Sequence, residues 1–356
     1  MGSIPPAGTT LSIVIRFPGR TVWLAVPGGP CKTTLASMTT LAQDSEPSRT
    51  NRFNRAAVFV NTRSGRRRSR ALLPRIELAF RIHGIDCEIL QTASAAELID
   101  QARRQIRAGT RLLFAAGGDG TLQGLVNSAF GHDVVVGIIP AGGGNDFARA
   151  LGLPHDPLAA LKMALSGEPR AVDLVKVRTG DRRECLYLGG GGVGLDAAAA
   201  AYASGPCRNF PGRIRYIAAA LRAYCSYQPR RVRVTFESDN TSQVWQSAVL
   251  ASVLNTPTFG AGIRLAPGAE IDDGVLEFAF LEELRFGQLL RALPRLALQG
   301  SINLPGLHTR SVRKLRIEVD PPATFHGDGE LLGSSPVDIE VVPRATRFLA
   351  PRVAAR

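Results

Sequence analysis

From Ala56 onward, short apolar runs alternate with segments of helical period, the pattern of a parallel sheet flanked by helices. Ala57–Val60 reads as a strand that runs into Asn61, Thr62, Arg63, Ser64 and Gly65. Arg70–His83 reads as a helix carrying apolar Leu72, Leu73, Ile76, Leu78, Ala79 and Phe80. Cys87–Leu90 is a second strand, and Ser94–Ala108 a second helix with Ser94 as its cap and Glu97 at the reciprocal capping-box position. Arg111–Ala116 and Val134–Ile139 supply a third and a fourth strand. The pattern predicts a doubly wound α/β unit.

Beyond about Val172 the helical period thins out. Strand patterns dominate at Cys185–Leu188, Arg231–Phe236, Trp245–Leu254, Val275–Leu281, Lys314–Val319 and Val337–Val342, which predicts a second, mainly antiparallel β domain. Residues 1–54 are rich in Pro, Gly, Ser and Thr without a sustained period and read as a poorly structured extension. The predicted division is therefore 1–54, 55–175 and 176–356, within a length of 356 residues that suits about two domains.

Composition changes this picture little. A hydrophobic fraction of 45% with 21% charged residues describes a chain that folds in water, and no apolar run approaches the roughly 18 residues of a membrane-spanning helix. The 43 basic against 30 acidic residues give a formal charge of +13, which suits an anionic partner. Most of the excess is arginine, lysine standing only at Lys32, Lys162, Lys176 and Lys314. No basic strand interleaved with aromatics supports a nucleic-acid partner. Five dispersed cysteines, with neither CxxC nor metal-ligand spacing, fit a reduced, cytoplasmic setting. Arg16 follows the apolar stretch Leu11–Ile15 too closely for a signal peptide.

The chemistry should sit where strands run into glycine turns. Arg111–Ala116 leads into Gly117, Gly118, Asp119, Gly120 and Thr121 before a helix, and such a turn brings amides and a helix N-terminus against phosphate oxygens. A tight turn with Asp119 as a simple cap is the bland alternative. The pattern recurs after Val134–Ile139, in Pro140, Ala141, Gly142, Gly143, Gly144, Asn145 and Asp146. Open parallel sheets bind ligands at the carboxyl ends of their strands, so both loops should face one crevice. Two carboxylates beside two such cradles suit a magnesium-bound nucleotide. A P-loop-like stretch, Pro27–Thr34, has Cys31 where glycine should precede the lysine, so some other group must neutralise the phosphates.

Together, Asn61–Gly65, the GGDGT of Gly117–Thr121 and the run Pro140–Arg149 resemble the soluble diacylglycerol kinase and sphingosine kinase family, in particular its bacterial lipid-kinase branch. Gly190–Ala197, the segment Gly260–Pro267 with Ile271–Leu276, and Asp328-Gly329-Glu330 extend the resemblance in order over residues 57–350. It implies an α/β nucleotide domain followed by a β-sandwich with catalysis in the cleft between, ATP and Mg²⁺ as cofactors, and a lipid substrate met at a membrane surface. Asn61, Ser64, Gly65, Gly117, Gly118, Asp119, Gly120, Thr121, Gly142, Gly143, Gly144 and Asn145 would hold the nucleotide. Asp119, Asp146 and Asp173 would organise the catalytic ion, Asp328 would be the general base, and Glu330 would support the site. Asp273 with the carbonyl of Val275 would form a second, structural metal site. Each carboxylate has an alternative as a turn or cap residue. The chain departs from the family pattern at Thr62, where proline is usual, and at Gly143, where threonine is usual.

Two expectations concern partners. Ile214, Ile217, Ala218, Leu221 and Tyr224 fall at helical spacing with Arg215 and Arg222 on another face, so the stretch Phe210–Arg233 reads either as a basic amphipathic helix resting on anionic lipid or as a helix packed on the β domain. The Arg-rich stretch Arg63–Arg70 reads as a solvated helix start or a phosphate contact. A homodimer stays open. The competing functions are a kinase of a soluble hydroxyl compound such as NAD and a noncatalytic binder of anionic lipid.

Overall fold

A computed structural model describes residues 11–17, 20–26, 53–61, 66–207, 210, 212–237, 241–282, 284–285, 287–289, 291–292, 304 and 306–352. Thr62, Ser64, Gly65 and the P-loop-like stretch lie outside the described residues. The chain divides into two units, Met1–Pro47 and Ser48–Arg356. The first contains an antiparallel hairpin of β1 (Leu11–Phe17) and β2 (Arg20–Val26), with Leu11 opposite Val26 and Phe17 opposite Arg20. The extension predicted to lack structure thus contains a hairpin, because Ile13-Val14-Ile15 and Val22-Trp23-Leu24 have strong β preference.

The second unit begins with β3 (Arg55–Asn61), α1 (Arg66–Ile82), β4 (Asp86–Thr92), α2 (Ala95–Arg107), β5 (Leu112–Gly117), α3 (Asp119–Ala129) and β6 (Val135–Pro140). The Ser94 hydroxyl caps α2 by accepting the Glu97 amide, and the Glu97 carboxylate returns to the amide of Ala93. The four strands are parallel in the order β4-β3-β5-β6. Every residue of β5 and β6 is buried, as expected of strands covered on both faces. Strand order reverses between β3 and β5, so the crevice at their carboxyl ends is the switch point where such sheets take ligands.

The chain continues through α4 (Asp146–Ala150), α5 (Pro157–Leu165), β7 (Glu168–Thr179), β8 (Glu184–Tyr187), β9 (Gly190–Gly194), α6 (Leu195–Ser204) and α7 (Gly212–Ser226). The remaining strands are β10 (Arg230–Phe236), β11 (Thr241–Ala248), β12 (Leu250–Leu254), β13 (Leu276–Leu281), β14 (Leu307–Val312), β15 (Lys314–Asp320), β16 (Thr324–Gly327), β17 (Glu330–Ser334) and β18 (Val337–Ala350). A sheet ordered β14-β13-β12-β9-β16-β17 faces the β11-β10-β15-β18 stretch and its neighbours β7 and β8. Val175, Tyr187, Val232, Val253, Phe278 and Ile317 form the core between them. This is the predicted β-sandwich.

Two details differ from the sequence reading. Trp245–Leu254 is not one strand but two, β11 and β12, in different sheets, and the chain crosses at Val249, whose amide bonds the Leu281 carbonyl. Nor does the last segment stay in the second domain. One end of β18 pairs with β15 and the other runs parallel to β6, where Phe348 and Leu349 are fully buried in the first core. The partition at residue 175 is therefore crossed by β7 and β18, which tie the two lobes through one continuous sheet.

Candidate active site

The two glycine loops touch backbone to backbone. A Cβ on Gly142 would lie 2.4 Å from the Cα of Gly118, so neither position admits a side chain without moving the other loop. One carboxylate then joins them: Asp119 accepts the Asn145 amide at 2.9 Å. Asn145 adopts the left-handed conformation, φ 55°, donates from Nδ2 to the Gly142 carbonyl and accepts the Gly142 amide on Oδ1. At the end of β3, Asn61 reaches the Thr121 hydroxyl at 3.3 Å. The motifs separated in sequence thus converge at the switch point, with Gly118 to Thr121 opening α3.

The opposite lobe brings the third motif to the same place. Gly327 pairs with Glu330, so Asp328 and Gly329 are the two central residues of a hairpin turn, with φ of 51° and 86°. An Asp-Gly pair at two positive-φ positions is the chemistry of a type I′ turn. Here the turn and the site are the same residues. The Asp328 carboxylate accepts the amides of Leu188, Gly189 and Gly190 at 2.7, 2.8 and 3.3 Å, which fixes its direction. Glu330 lies over the start of α3, its Oε1 2.6 Å from where a Cβ on Gly120 would stand.

Asp119, Asp146 and Asp328 line one cavity. Burial, then the charges of Asp146 and Asp328, push the Asp119 carboxyl up to about 7. Burial pushes Asp328 up to about 6 against the three amides and His326, which lower it. Two raised carboxyls lining one cavity are stabilised as anions by a cation, so a divalent ion on Asp119 fits this site. Among the described residues no three acidic, His or Cys side chains converge on a point, so an ion here would take much of its shell from phosphates and water.

The other predicted ligands are placed differently. The Asp146 carboxylate is caged by the Thr258 hydroxyl, the amides of Ala261 and Gly262 and the Arg149 guanidinium. Asp173 is fully buried, accepts the amides of Gly274 and Arg344, and does not join Asp119, because those bonds hold it where β7 meets the 271–274 turn. Asp273 accepts the amide of Val275 and shares a shallow groove with Glu340, Arg313 and Lys314. The groove thus sets two carboxylates beside two cations, Lys314 being bonded to Glu237, and among the described residues no cluster of three acidic, His or Cys side chains forms there.

Helix α7 supplies what the sequence reading missed. Its apolar side is used internally: Ala219 and Ala223 are fully buried, and Leu221 and Tyr224 pack with Leu195 and Val249. Arg222 lies over the Tyr202 ring, and Arg215 turns inward, its guanidinium 3.3 Å from where a Cβ on Gly143 would stand. Of the two readings of this stretch, the helix packed on the protein is the one seen, and Arg215 and Arg222 both contact neighbouring residues. A side chain at Gly143 would meet the end of Arg215, which would have to give by a few tenths of an ångström. Behind the carboxylates a cavity of about 160 Å³ extends between α6, α7 and the sheet, walled by Leu195, Ala199, Ala220, Leu250, Leu281 and Leu307.

The profile of the Diacylglycerol kinase catalytic domain matches residues 55–177, and that of the YegS C-terminal NAD kinase beta sandwich-like domain matches residues 191–350. A probable lipid kinase YegS-like of Chromohalobacter salexigens is 33% identical over 63% of this chain and 74% of its own length. The chain belongs to the diacylglycerol kinase and YegS-like lipid kinase family.

As a member of that lipid kinase family it is a phosphotransferase with an alcohol group as acceptor. A diacylglycerol kinase of Mycobacterium tuberculosis is 29% identical over 69% of this chain and 79% of its own length. A Bacillus anthracis structure titled a putative diacylglycerol kinase superposes with a TM-score of 0.67 at 20% identity, covering 84% of this chain and 95% of that one, which bears on the fold alone. Among the described residues no helix is long and apolar enough to cross a membrane.

Proposed function

We propose that this lipid kinase transfers the terminal phosphate of ATP, with Mg²⁺, to a hydroxyl of a lipid, most simply diacylglycerol or a related glycerolipid or sphingoid lipid. The supporting observation is the cavity itself: an almost wholly apolar pocket that opens onto Asp119 and Asp328. Hydrocarbon gains roughly 0.8 kcal/mol per buried CH₂, so such a pocket favours an acyl chain. It offers few polar partners to a dinucleotide acceptor, and a mere lipid binder has no use for paired, raised carboxyls.

The placements support the following roles. Amides of the two glycine loops and the start of α3 face the phosphates, and Arg215 supplies the positive charge that a P-loop lysine would otherwise bring. Asp119 would hold Mg²⁺, which when bound neutralises charge on the phosphates. Asp328, fixed by three amides, accepts the proton of the lipid hydroxyl. Asp146, which lines the same cavity, anchors the Thr258–Gly262 loop to α4, and Asp173 acts at a distance by anchoring β7 to the 271–274 turn. Phe210 and Ile214, 47% and 56% exposed beside Arg215, would meet the membrane surface.

The test is to incubate the purified protein with ATP, Mg²⁺ and a panel of lipids and to identify the product by mass spectrometry. A phosphorylated lipid is expected, and Ala220→Trp, which fills the cavity, should raise the KM for long-chain lipid about tenfold while sparing ATP binding. Consumption of ATP without a lipid product would overturn the reading.

A further inference from the structure

One polar side chain at the junction of loops and cavity has no part in the roles above. Four of the five tyrosines direct their hydroxyls to the protein: Tyr187 to the Val253 carbonyl, Tyr224 to Leu284, Tyr227 to Ala248, and Tyr202 to the Ser226 hydroxyl. Tyr216 is the fifth, and among the described residues no protein atom takes its proton. A largely buried phenol usually finds a partner, so an unassigned one facing a cavity points to a ligand.

Its position says which ligand. The Tyr216 oxygen lies 3.5 Å from where a Cβ on Gly144 would stand, and that same point is 2.6 Å from Asp119 Oδ2 and 3.7 Å from Asp146 Oδ2. Its ring sits against Gly260, Cδ1 lying 3.4 Å from the corresponding position there, and lines the apolar cavity. The hydroxyl therefore stands between the second glycine loop and the lipid pocket, next to Arg215 over Gly143. Burial, Asp119 and Asp146 push the phenol up to about 12, so it remains a donor through the working range.

We propose that Tyr216 is a further catalytic residue, whose hydroxyl donates a hydrogen bond to the phosphoryl group as it passes from nucleotide to lipid. This rests on the lipid-kinase reading. The lipid oxygen forms a bond to the γ-phosphorus, the bond from that phosphorus to the ADP oxygen breaks, the lipid proton goes to Asp328, and the phenol keeps its own. A donor aimed at charge that is spread in transfer assists the transition state more than the bound reactants.

The alternative is a ring that merely fills the space between Gly144 and Gly260, for which phenylalanine would serve equally. Tyr216→Phe separates the two. The expected result is a kcat lower by about 10²-fold with an unchanged melting profile and an ATP KM within about threefold of wild type. Calorimetry gives a readout free of turnover: wild type should bind ADP with Mg²⁺ and aluminium fluoride, a mimic of the transferring group, at least ~10-fold more tightly than ADP, and Tyr216→Phe should lose that gain while keeping its affinity for ADP. Equal kcat and equal gain in the two proteins overturn the assignment alone. A rise in lipid KM with the gain intact also overturns it. Wild type that binds ADP but phosphorylates no lipid overturns the kinase reading and this proposal together.

Discussion

The Asp119 carboxylate accepts the main-chain amide of Asn145 at 2.9 Å, so one side chain joins two glycine loops that meet with no room for a Cβ between Gly118 and Gly142. Asparagine at 119 can still accept that amide through its oxygen but carries no charge. Asp119→Asn should therefore stay folded and lose about 10³-fold in turnover. Wild-type turnover in that variant would contradict the role assigned to Asp119.

Asp119 also makes stability depend on pH. Its carboxyl is raised from 3.8 to about 7, so the folded state holds the proton more tightly than the unfolded state does. The stability this contributes is fully present below the unfolded value and is lost as pH rises through the folded one. The ligand-free protein should melt at progressively lower temperature between about pH 4 and pH 7. Asp119→Asn should flatten that slope in a calorimetric series, and an unaltered slope would count against it.

Catalysis should respond in the opposite sense. Asp328 must be ionised to take a proton, and its carboxyl lies at about 6, so kcat/KM should fall as pH drops through that region. The apparent value belongs to the coupled Asp119 and Asp328 carboxyls rather than to either alone. A rate that is flat from pH 5 to pH 8 would exclude a base of this kind.

Arg215 should matter for nucleotide and not for the fold. Arg215→Ala is expected to raise the ATP KM about tenfold, with Arg215→Lys between the two, since a lysine keeps the charge and loses the planar fork. Steady-state kinetics at varied ATP measures this. An unchanged KM would return Arg215 to a surface role.

Asp173 should show the reverse. Removing its carboxylate leaves the amides of Gly274 and Arg344 without their acceptor in a fully buried place. Asp173→Ala should cost roughly 2–4 kcal/mol in denaturant unfolding while turnover per folded molecule stays within about threefold. Loss of turnover at full stability would restore it to the catalytic ion.

How much of this was legible depended on distance along the chain. The parallel strands and their glycine turns are local patterns, so β3 to β6 fell within a residue or two of their predicted bounds, and Gly117–Thr121 and Pro140–Asp146 converged as predicted. What depends on remote partners was hidden. A run such as Trp245–Leu254 carries no mark that it changes sheets at Val249, and nothing in Val337–Ala350 says that Phe348 returns to the first core. An aspartate that cages a loop reads the same as one that holds an ion, which is why Asp146 and Asp173 were grouped with Asp119. Arg215 and Tyr216 lay in a helix whose period suited a lipid-facing and a packed surface equally, and only the packing of Ala219 and Ala223 turns them toward Gly143 and Gly144.

The most direct measurement is transfer of label from [γ-³²P]ATP into diacylglycerol and sphingoid lipids presented in vesicles, run side by side with wild type and Asp328→Asn. The account predicts Mg²⁺-dependent label in a lipid product for wild type and a loss of about 10³-fold in the variant. Label that appears equally with both proteins, or never enters lipid, would contradict it.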